Sequence, residues 1–187
     1  MTKKKIEPGP FVVPMPTVLL GAEVDGKANF MPAAFVGLVN ADPATVACGL
    51  NPDHHTCRGI EAHGAFSLNL PGPELVAATD WCGLRSGARV DKSVAFETFV
   101  GELAGAPMIQ ACRMTAECRV VQSIRFKVDT VYFGEVAAVH VDEEALEDGQ
   151  PDWARIAPLI FTFPDKAYWK LGEYLAPAWK VGRDFEP

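Results

Sequence analysis

The dipeptide Asp25-Gly26 stands between two apolar runs, TVLLGAEV (17–24) and KANFMPAAFV (27–36). A two-residue hairpin turn needs positive φ at its central positions, and Asp-Gly is among the pairs that best supply it. The N-terminal third is therefore expected to be an antiparallel hairpin. Pro32, inside the return run, has no N–H to give to a ladder and must mark a bulge, an edge or a break. TVACGL (45–50) and AFSLNL (65–70) read as short strands, the second alternating Phe66, Leu68 and Leu70 against Ser67 and Asn69. Residues 113–142 read as two long strands rich in Val, Ile, Phe and Tyr. Many short strands with few helices favour an antiparallel barrel over a parallel sheet.

Two short helices interrupt this pattern. In HHTCRGIEAHG (54–64), Thr56 is expected to cap a helix carrying Glu61 and His63, with Gly64 as its terminator. A second helix is expected over 73–81, PELVAATDW, with Pro73 in the first turn. It runs directly into CGLRSGARVDKS (82–93). The acidic run EEALEDGQPD (143–152) reads as a surface connection. The tail 153–187 carries Trp153, Phe161, Phe163, Tyr168, Trp169, Tyr174 and Trp179, more aromatic surface than one small barrel is expected to cover. A partner subunit is one natural cover for it. With 49% hydrophobic residues and no repeats or clear linker, residues 1–187 read as one domain.

Charge and cysteine usage narrow the function classes. A net charge of -7 and a pI near 5.1 argue against nucleic acid, which needs a broad basic face. No apolar run approaches the length of about 18 residues that a membrane span requires. The start MTKKKIEPG is followed by Pro10, Pro14 and Pro16 rather than an apolar core, so no signal peptide is read there. A cytoplasmic location is expected. The five cysteines (Cys48, Cys57, Cys82, Cys112, Cys118) are odd in number and form no CxxC pair, which suggests neither a disulfide framework nor a zinc knuckle. On a single strand Cys112 and Cys118 would stand roughly 20 Å apart, too far to bridge. His54, His55 and Cys57 crowd three metal ligands into four residues, a poor start for a tetrahedron.

Catalytic signatures are sparse. GxSxG is absent, and His54, His55, His63 and His140 have no spacing that marks a base. His140, among valines in AAVHVD, reads as an ordinary strand residue. Neither GxGxxG nor GxxxxGK[ST] occurs. An anion site would have to be assembled from pieces: the helix begun at Thr56 with Arg58, the Ser86-Gly87 loop, and Arg89 with Lys92. On their residues alone, 82–93 read first as a solvated glycine turn, with a phosphate cradle as the sharper alternative. NFMPAAF (29–35) likewise reads first as plain strand packing, with a backbone open to a flat ligand as the alternative.

Taken in chain order, GKANFMPAAF (26–35), Asp42-Pro43, HHTCRGIEAHGAFSLNLP (54–71), CGLRSGARVDK (82–92), GEV (134–136) and YWKLGEYL (168–175) resemble the flavin reductase-like family of FMN-binding split barrels, and within it the flavoredoxin branch. The resemblance implies a mainly β fold, a six-stranded antiparallel Greek-key split barrel, forming a homodimer with FMN near the subunit interface. It implies that Asn29, Phe30, Met31, Pro32, Ala33 and Ala34 lie along the isoalloxazine and offer it main-chain donors. His54, His55 and Thr56 would reach the phosphate and ribityl chain, and Asn69 would lie near the flavin. Ser86, Asp91 and Lys92 match the family's S-G-x-x-x-D-K stretch, where the lysine serves the phosphate. Tyr168 and Trp169 match an aromatic position that closes the site, from the other subunit in one arrangement.

No catalytic side chain and no metal are implied, since FMN brings the redox chemistry and the protein supplies orientation and electrostatics. Two departures matter. Many relatives carry Ser where this chain has Ala33-Ala34, and FKVDTVYFGEV lacks the G-D-H of reductases that partner monooxygenases. The second leans toward an electron-transfer flavoprotein rather than a direct NAD(P)H-dependent flavin oxidoreductase. A split-barrel binding module without flavin is the remaining alternative.

Overall fold

The Asp25-Gly26 turn forms as its chemistry demands. Asp25 at φ 53° and Gly26 at φ 78° join β1 (Val18–Val24) to β2 (Lys27–Ala33), with Val24 opposite Lys27 and Val18 opposite Ala33. The protein is described by a computed structural model over residues 1–10, 13–183, 185 and 186; residues 11, 12, 184 and 187 of the expected 1–187 span lie outside the described residues. Five further strands follow: β3 (Val36–Ala41), β4 (Ala44–Leu50), β5 (Ala65–Asn69), β6 (Met114–Arg125) and β7 (Thr130–Val141). They form one sheet in the order β2-β1-β5-β6-β7-β4-β3, antiparallel throughout.

The main sheet has seven strands where six were expected. The difference arises at Pro32: the run 27–36 does not continue as one strand but stops at Ala33 and resumes at Val36 as β3, which pairs with β4. Pro32 thus sits on an edge strand, where a missing donor costs no ladder bond. The two edges of the sheet, β2 and β3, are joined only by Ala34 and Phe35. A sheet whose outermost strands are that close in sequence must curl until its edges meet, and here they meet without pairing. The product is a split barrel.

The barrel interior holds Val18, Leu20, Ala22, Met31, Cys48, Leu50, Phe66, Leu68, Cys118 and Tyr132. Phe66 and Leu68 of β5 point there as the alternation predicts, but Ser67 and Asn69 are buried too. Segment 103–112 covers their face: the Ser67 hydroxyl donates to the Pro107 carbonyl, and Asn69 donates to the Leu19 carbonyl at 2.8 Å while accepting from the Ile109 N–H at 2.8 Å.

Helix α1 (His55–His63) closes one end of the barrel with Cys57 and Ile60. Its N-cap is His54 rather than Thr56, and no side chain caps it. The Thr56 hydroxyl is instead taken by the Asn29 amide at 2.7 Å. Gly64 ends the helix in the left-handed region as expected. Helix α2 (Val76–Leu84) follows a short 3₁₀ turn, Pro73–Leu75, and runs three residues past the expected end at Trp81. Cys82 there joins Leu19, Phe30, Ile109 and Cys112 in a second apolar cluster, which seats α2 against β2.

The acidic run is more ordered than a plain connection, folding into a 3₁₀ turn and a two-residue ladder, Leu146–Glu147 with Gln150–Pro151. Met15–Pro16, β8 (Leu159–Thr162) and β9 (Ala167–Lys170) make a separate three-stranded sheet. Beyond it, Tyr174 and Trp179 stand exposed. All five cysteines are buried free thiols, and Cys112 precedes β6 rather than lying on it. Among the described residues no helix is long and apolar enough to cross a membrane.

Candidate functional site

Where β2, the N-terminus of α1 and the C-terminus of α2 converge, the loop 85–92 closes over a cleft of about 370 Å³, a size suited to a small ligand. Met31 and Pro32 form an apolar side, Asp53–Thr56 a second, and Cys82–Gly87 with Arg89 and Lys92 a third. A Cβ on Gly87 would meet Asn29 Oδ1 and the His55 ring, so the glycine lets the loop lie close to β2 and α1 with both side chains where they stand.

Lys92 organises the cleft from beneath. It is 4% exposed, and its Nζ donates to the Phe30 carbonyl at 2.9 Å and the Cys82 carbonyl at 2.7 Å. Two of its three protons thus tie β2 to the end of α2, leaving one for a ligand. Burial pushes its pKa down. Burial, helped by Arg58 and Lys92, also pushes His55 down, so its imidazole favours the neutral form. The Cys82 thiol is pushed up by burial and stays protonated despite Lys92 nearby.

Ser86 begins a turn in which its carbonyl accepts from the Arg89 and Val90 N–H groups, while the amide of Ala88 donates to its hydroxyl at 3.3 Å. Arg85 and Arg89 are exposed and have no ion-pair partner among the described residues. The uncapped first turn of α1 adds backbone N–H groups with no side-chain acceptor. A hydroxyl, a buried ammonium and orphan amides around one cleft are the donor set of an oxyanion or phosphate site.

The sequence-predicted residues divide into those at this cleft and those elsewhere. Met31, Pro32, His54, His55, Thr56, Ser86 and Lys92 line it. Asn29 stands behind it, holding Thr56, and Phe30 is fully buried with its carbonyl on Lys92. Asp91 lines the adjoining recess, where its carboxylate takes Lys27 at 2.6 Å and the Ser93 hydroxyl and N–H; these contacts push its pKa down to about 2.

Ala33 is buried in the barrel, and Ala34 lines an apolar hollow with Phe35, Leu38, Val39 and Phe126. Asn69 lines neither the cleft nor the recess; its amide is used on the Leu19 carbonyl, the Ser67 hydroxyl and the Ile109 N–H. Tyr168 donates to Asp80 at 3.2 Å and Trp169 to Thr162 at 2.8 Å, and within one chain neither lines the cleft.

Sequence reasoning passed over Gly83, whose missing side chain leaves room for Pro32, and the pair Glu117–His140. His140 Nε2 donates to the buried Glu117 at 2.8 Å, so it is more than an ordinary strand residue. Glu117, a charge in the β6 run on the face opposite Cys118, where Gly101 and Leu103 cover it, was the available signal.

Residues 12–169 match the family model of the flavin reductase like domain, and the chain belongs to that family. More particularly, it is similar to two solved flavoredoxins. The crystal structure of flavoredoxin from Methanosarcina acetivorans is 45% identical, with a TM-score of 0.95 over 98% of each chain. Flavoredoxin of Desulfovibrio vulgaris (Miyazaki F) is 32% identical, with a TM-score of 0.91 over 97% of this chain and 100% of that one. An FMN-binding protein from Thermus thermophilus shares the fold at 23% identity, with a TM-score of 0.79 over 95% of this chain and 98% of that one.

Proposed function

We propose that this chain is an FMN-binding flavoprotein that transfers electrons through bound FMN, acting as a homodimer of one-domain subunits in the cytoplasm. The observation that carries the proposal is the cleft, which puts an apolar side, Met31 and Pro32, next to a phosphate donor set. The residues fit the group. Gly83 and Gly87 keep the cleft and its loop free of side chains that would collide with Pro32, Asn29 and His55. Ser86, the α1 amides at His55 and Thr56, and the remaining Lys92 proton would hold the phosphate, while Asn29 orients Thr56. The backbone of Asn29–Ala34 would run along the isoalloxazine, which supplies the redox chemistry when bound.

Asn69 and Asp91 would act through others: Asn69 by fixing β1 against Ile109, Asp91 by steadying Lys27. Tyr168 and Trp169 would approach the site from the second subunit. Buried free thiols suit a reducing compartment.

The visible spectrum of the purified protein tests the core of this reading. A flavin band is expected at purification or after FMN titration, and a protein that stays colourless would sink it. Bleaching on addition of NADH or NADPH would shift the function to a direct flavin oxidoreductase. Ser86→Ala and Lys92→Ala should each weaken FMN about ten- to a hundredfold while affecting riboflavin less, because a charge-assisted phosphate contact is worth about 1.5–3 kcal/mol.

A further inference from the structure

His55, the first residue of α1, lines both the cleft and the recess that adjoins it, with its ring beside Gly87. It differs from two histidines elsewhere in the fold. His63 lies 3.6 Å from Glu23 and His140 2.8 Å from Glu117, so each has a carboxylate to favour its cation. Among the described residues no carboxylate comes within ion-pair distance of His55. The titratable and charged groups that border the two spaces with it come from every neighbouring element. Arg58 lies on its own helix, Asp53 and His54 just before it, Asp25 and Lys27 on the β1–β2 hairpin, and Cys82 on α2. The loop adds Arg85, Arg89, Asp91 and Lys92. Asp91 is committed to Lys27 at 2.6 Å and Asp25 to Arg58 at 3.4 Å, so Asp53 alone stands against Arg85, Arg89 and Lys92. Burial and neighbouring cations both oppose the charge of an imidazole. Here burial, Arg58 and Lys92 outweigh Asp25 and keep the ring on the neutral side.

We propose that His55 takes up a proton from solvent when the phosphate of FMN enters the cleft, so that the protein's hold on its cofactor loosens as pH rises. The inference rests on this cleft being the flavin's and adds a regulation of that site. A phosphate dianion reverses the local balance. It offsets the unpaired cations and offers oxygen acceptors to a protonated ring, whose two N–H groups both donate. The proton passes from water to a ring nitrogen, and no covalent bond of the ligand changes. Linkage makes the effect reciprocal: if FMN favours the imidazolium, the imidazolium favours FMN. The gain is whole below the pKa of the empty site's ring and is lost as pH rises through the higher value of the bound one. Riboflavin carries no phosphate and draws no such gain, so His55 also sharpens the choice of the phosphorylated flavin.

The test is calorimetric, with flavin-stripped protein in phosphate-free buffers of different ionisation enthalpy. At about pH 7.5 the FMN phosphate is already a dianion, its second pKa being about 6, so a proton taken up there belongs to the protein. FMN should bind with uptake of roughly half to one proton, and its affinity should fall about three- to tenfold between about pH 7 and pH 8. Riboflavin should bind with no uptake and no such slope. His55→Gln keeps a hydrogen-bonding side chain without a titrating group. It should bind FMN with no uptake and more weakly than wild type, the gap closing as pH rises.

The inference is overturned if the binding heat of FMN is the same in every buffer, or if riboflavin takes up as many protons as FMN. It is overturned equally if uptake persists in His55→Gln, which would put the proton on His54 or another group. Should His55→Gln not fold, proton NMR of the histidine rings in the wild type reads the same event. One of the four histidine midpoints should rise by about a unit with FMN and not with riboflavin. His54→Gln should keep that rise; its loss there, or four unmoved midpoints in the wild type, refutes the assignment. A protein that binds no flavin in any buffer sinks the parent reading and this inference together, whereas FMN bound without proton uptake sinks this one alone.

Discussion

Lys92 and Glu117 are charged side chains that the fold has taken out of water, and each is kept by its partners rather than by solvent. Lys92 faces two carbonyls. Glu117 is sealed at 0% exposure and receives His140 at 2.8 Å and the Leu103 N–H at 2.6 Å. Burial pushes the Glu117 carboxyl up, but the hydrogen bonds from His140 and from the Leu103 and Glu102 amides outweigh it, so the net direction is below its ordinary value of 4.5. The unfolded chain therefore holds the proton more tightly. The stability this carboxylate contributes is whole above about pH 4.5 and is lost as pH falls through the lower folded value. Glu117→Gln should lose about 1–3 kcal/mol at neutral pH, and its urea midpoint should converge on that of the wild type as the solution is acidified. A constant gap across that range would refute the assignment.

At the scale of elements, the decisive contact is between α1 and β1. A Cβ on Gly59 would strike the Glu23 carbonyl and the Ala22 side chain. Alanine in a helix interior is ordinarily better than glycine by about 1 kcal/mol. Here the obstacle is backbone, so Gly59→Ala should instead destabilise by about 1–3 kcal/mol and loosen the helix start that faces the cleft. Thermal unfolding with and without FMN measures both effects; an unchanged or raised Tm would contradict the crowding. The same elements mark what was legible in sequence. Asp25-Gly26, Gly64 and the period of β5 act locally, so the hairpin, the helix stop and the strand could be read directly.

What could not be read depended on distant partners. Asn29 draws Thr56 away from capping, and segment 103–112 buries the polar face of β5. Lys92 gave no local sign of burial, because its carbonyl acceptors lie 62 and 10 residues away. Its residue type marked it as one piece of a possible anion site, and the family pattern singled it out from Arg85 and Arg89.

For the whole molecule, the unanswered surface is apolar. Phe35, Leu38 and Val39 lie exposed beside Phe126 around one hollow, and Tyr174, Leu175 and Trp179 stand out along the tail. Exposure on this scale in an isolated chain points to a covering partner. Light scattering after size exclusion should give twice the subunit mass. Leu38→Asp combined with Phe126→Asp should yield monomers with an unchanged β signature by circular dichroism and FMN affinity at least tenfold weaker; monomers that hold FMN as well as wild type would show that the second subunit adds nothing to the site.

The seam between β2 and β3 bears on this as well. An edge strand carries a row of amide and carbonyl groups with no ladder partner. A fully stitched barrel would have used those groups on itself. By breaking at Ala34 and Phe35, the fold leaves the outer edge of β2 without a ladder partner, and Met31 and Pro32 of that edge strand line the cleft. What a planar heteroaromatic edge requires of a protein is donors and acceptors at fixed spacing, and that is what an unpaired strand is.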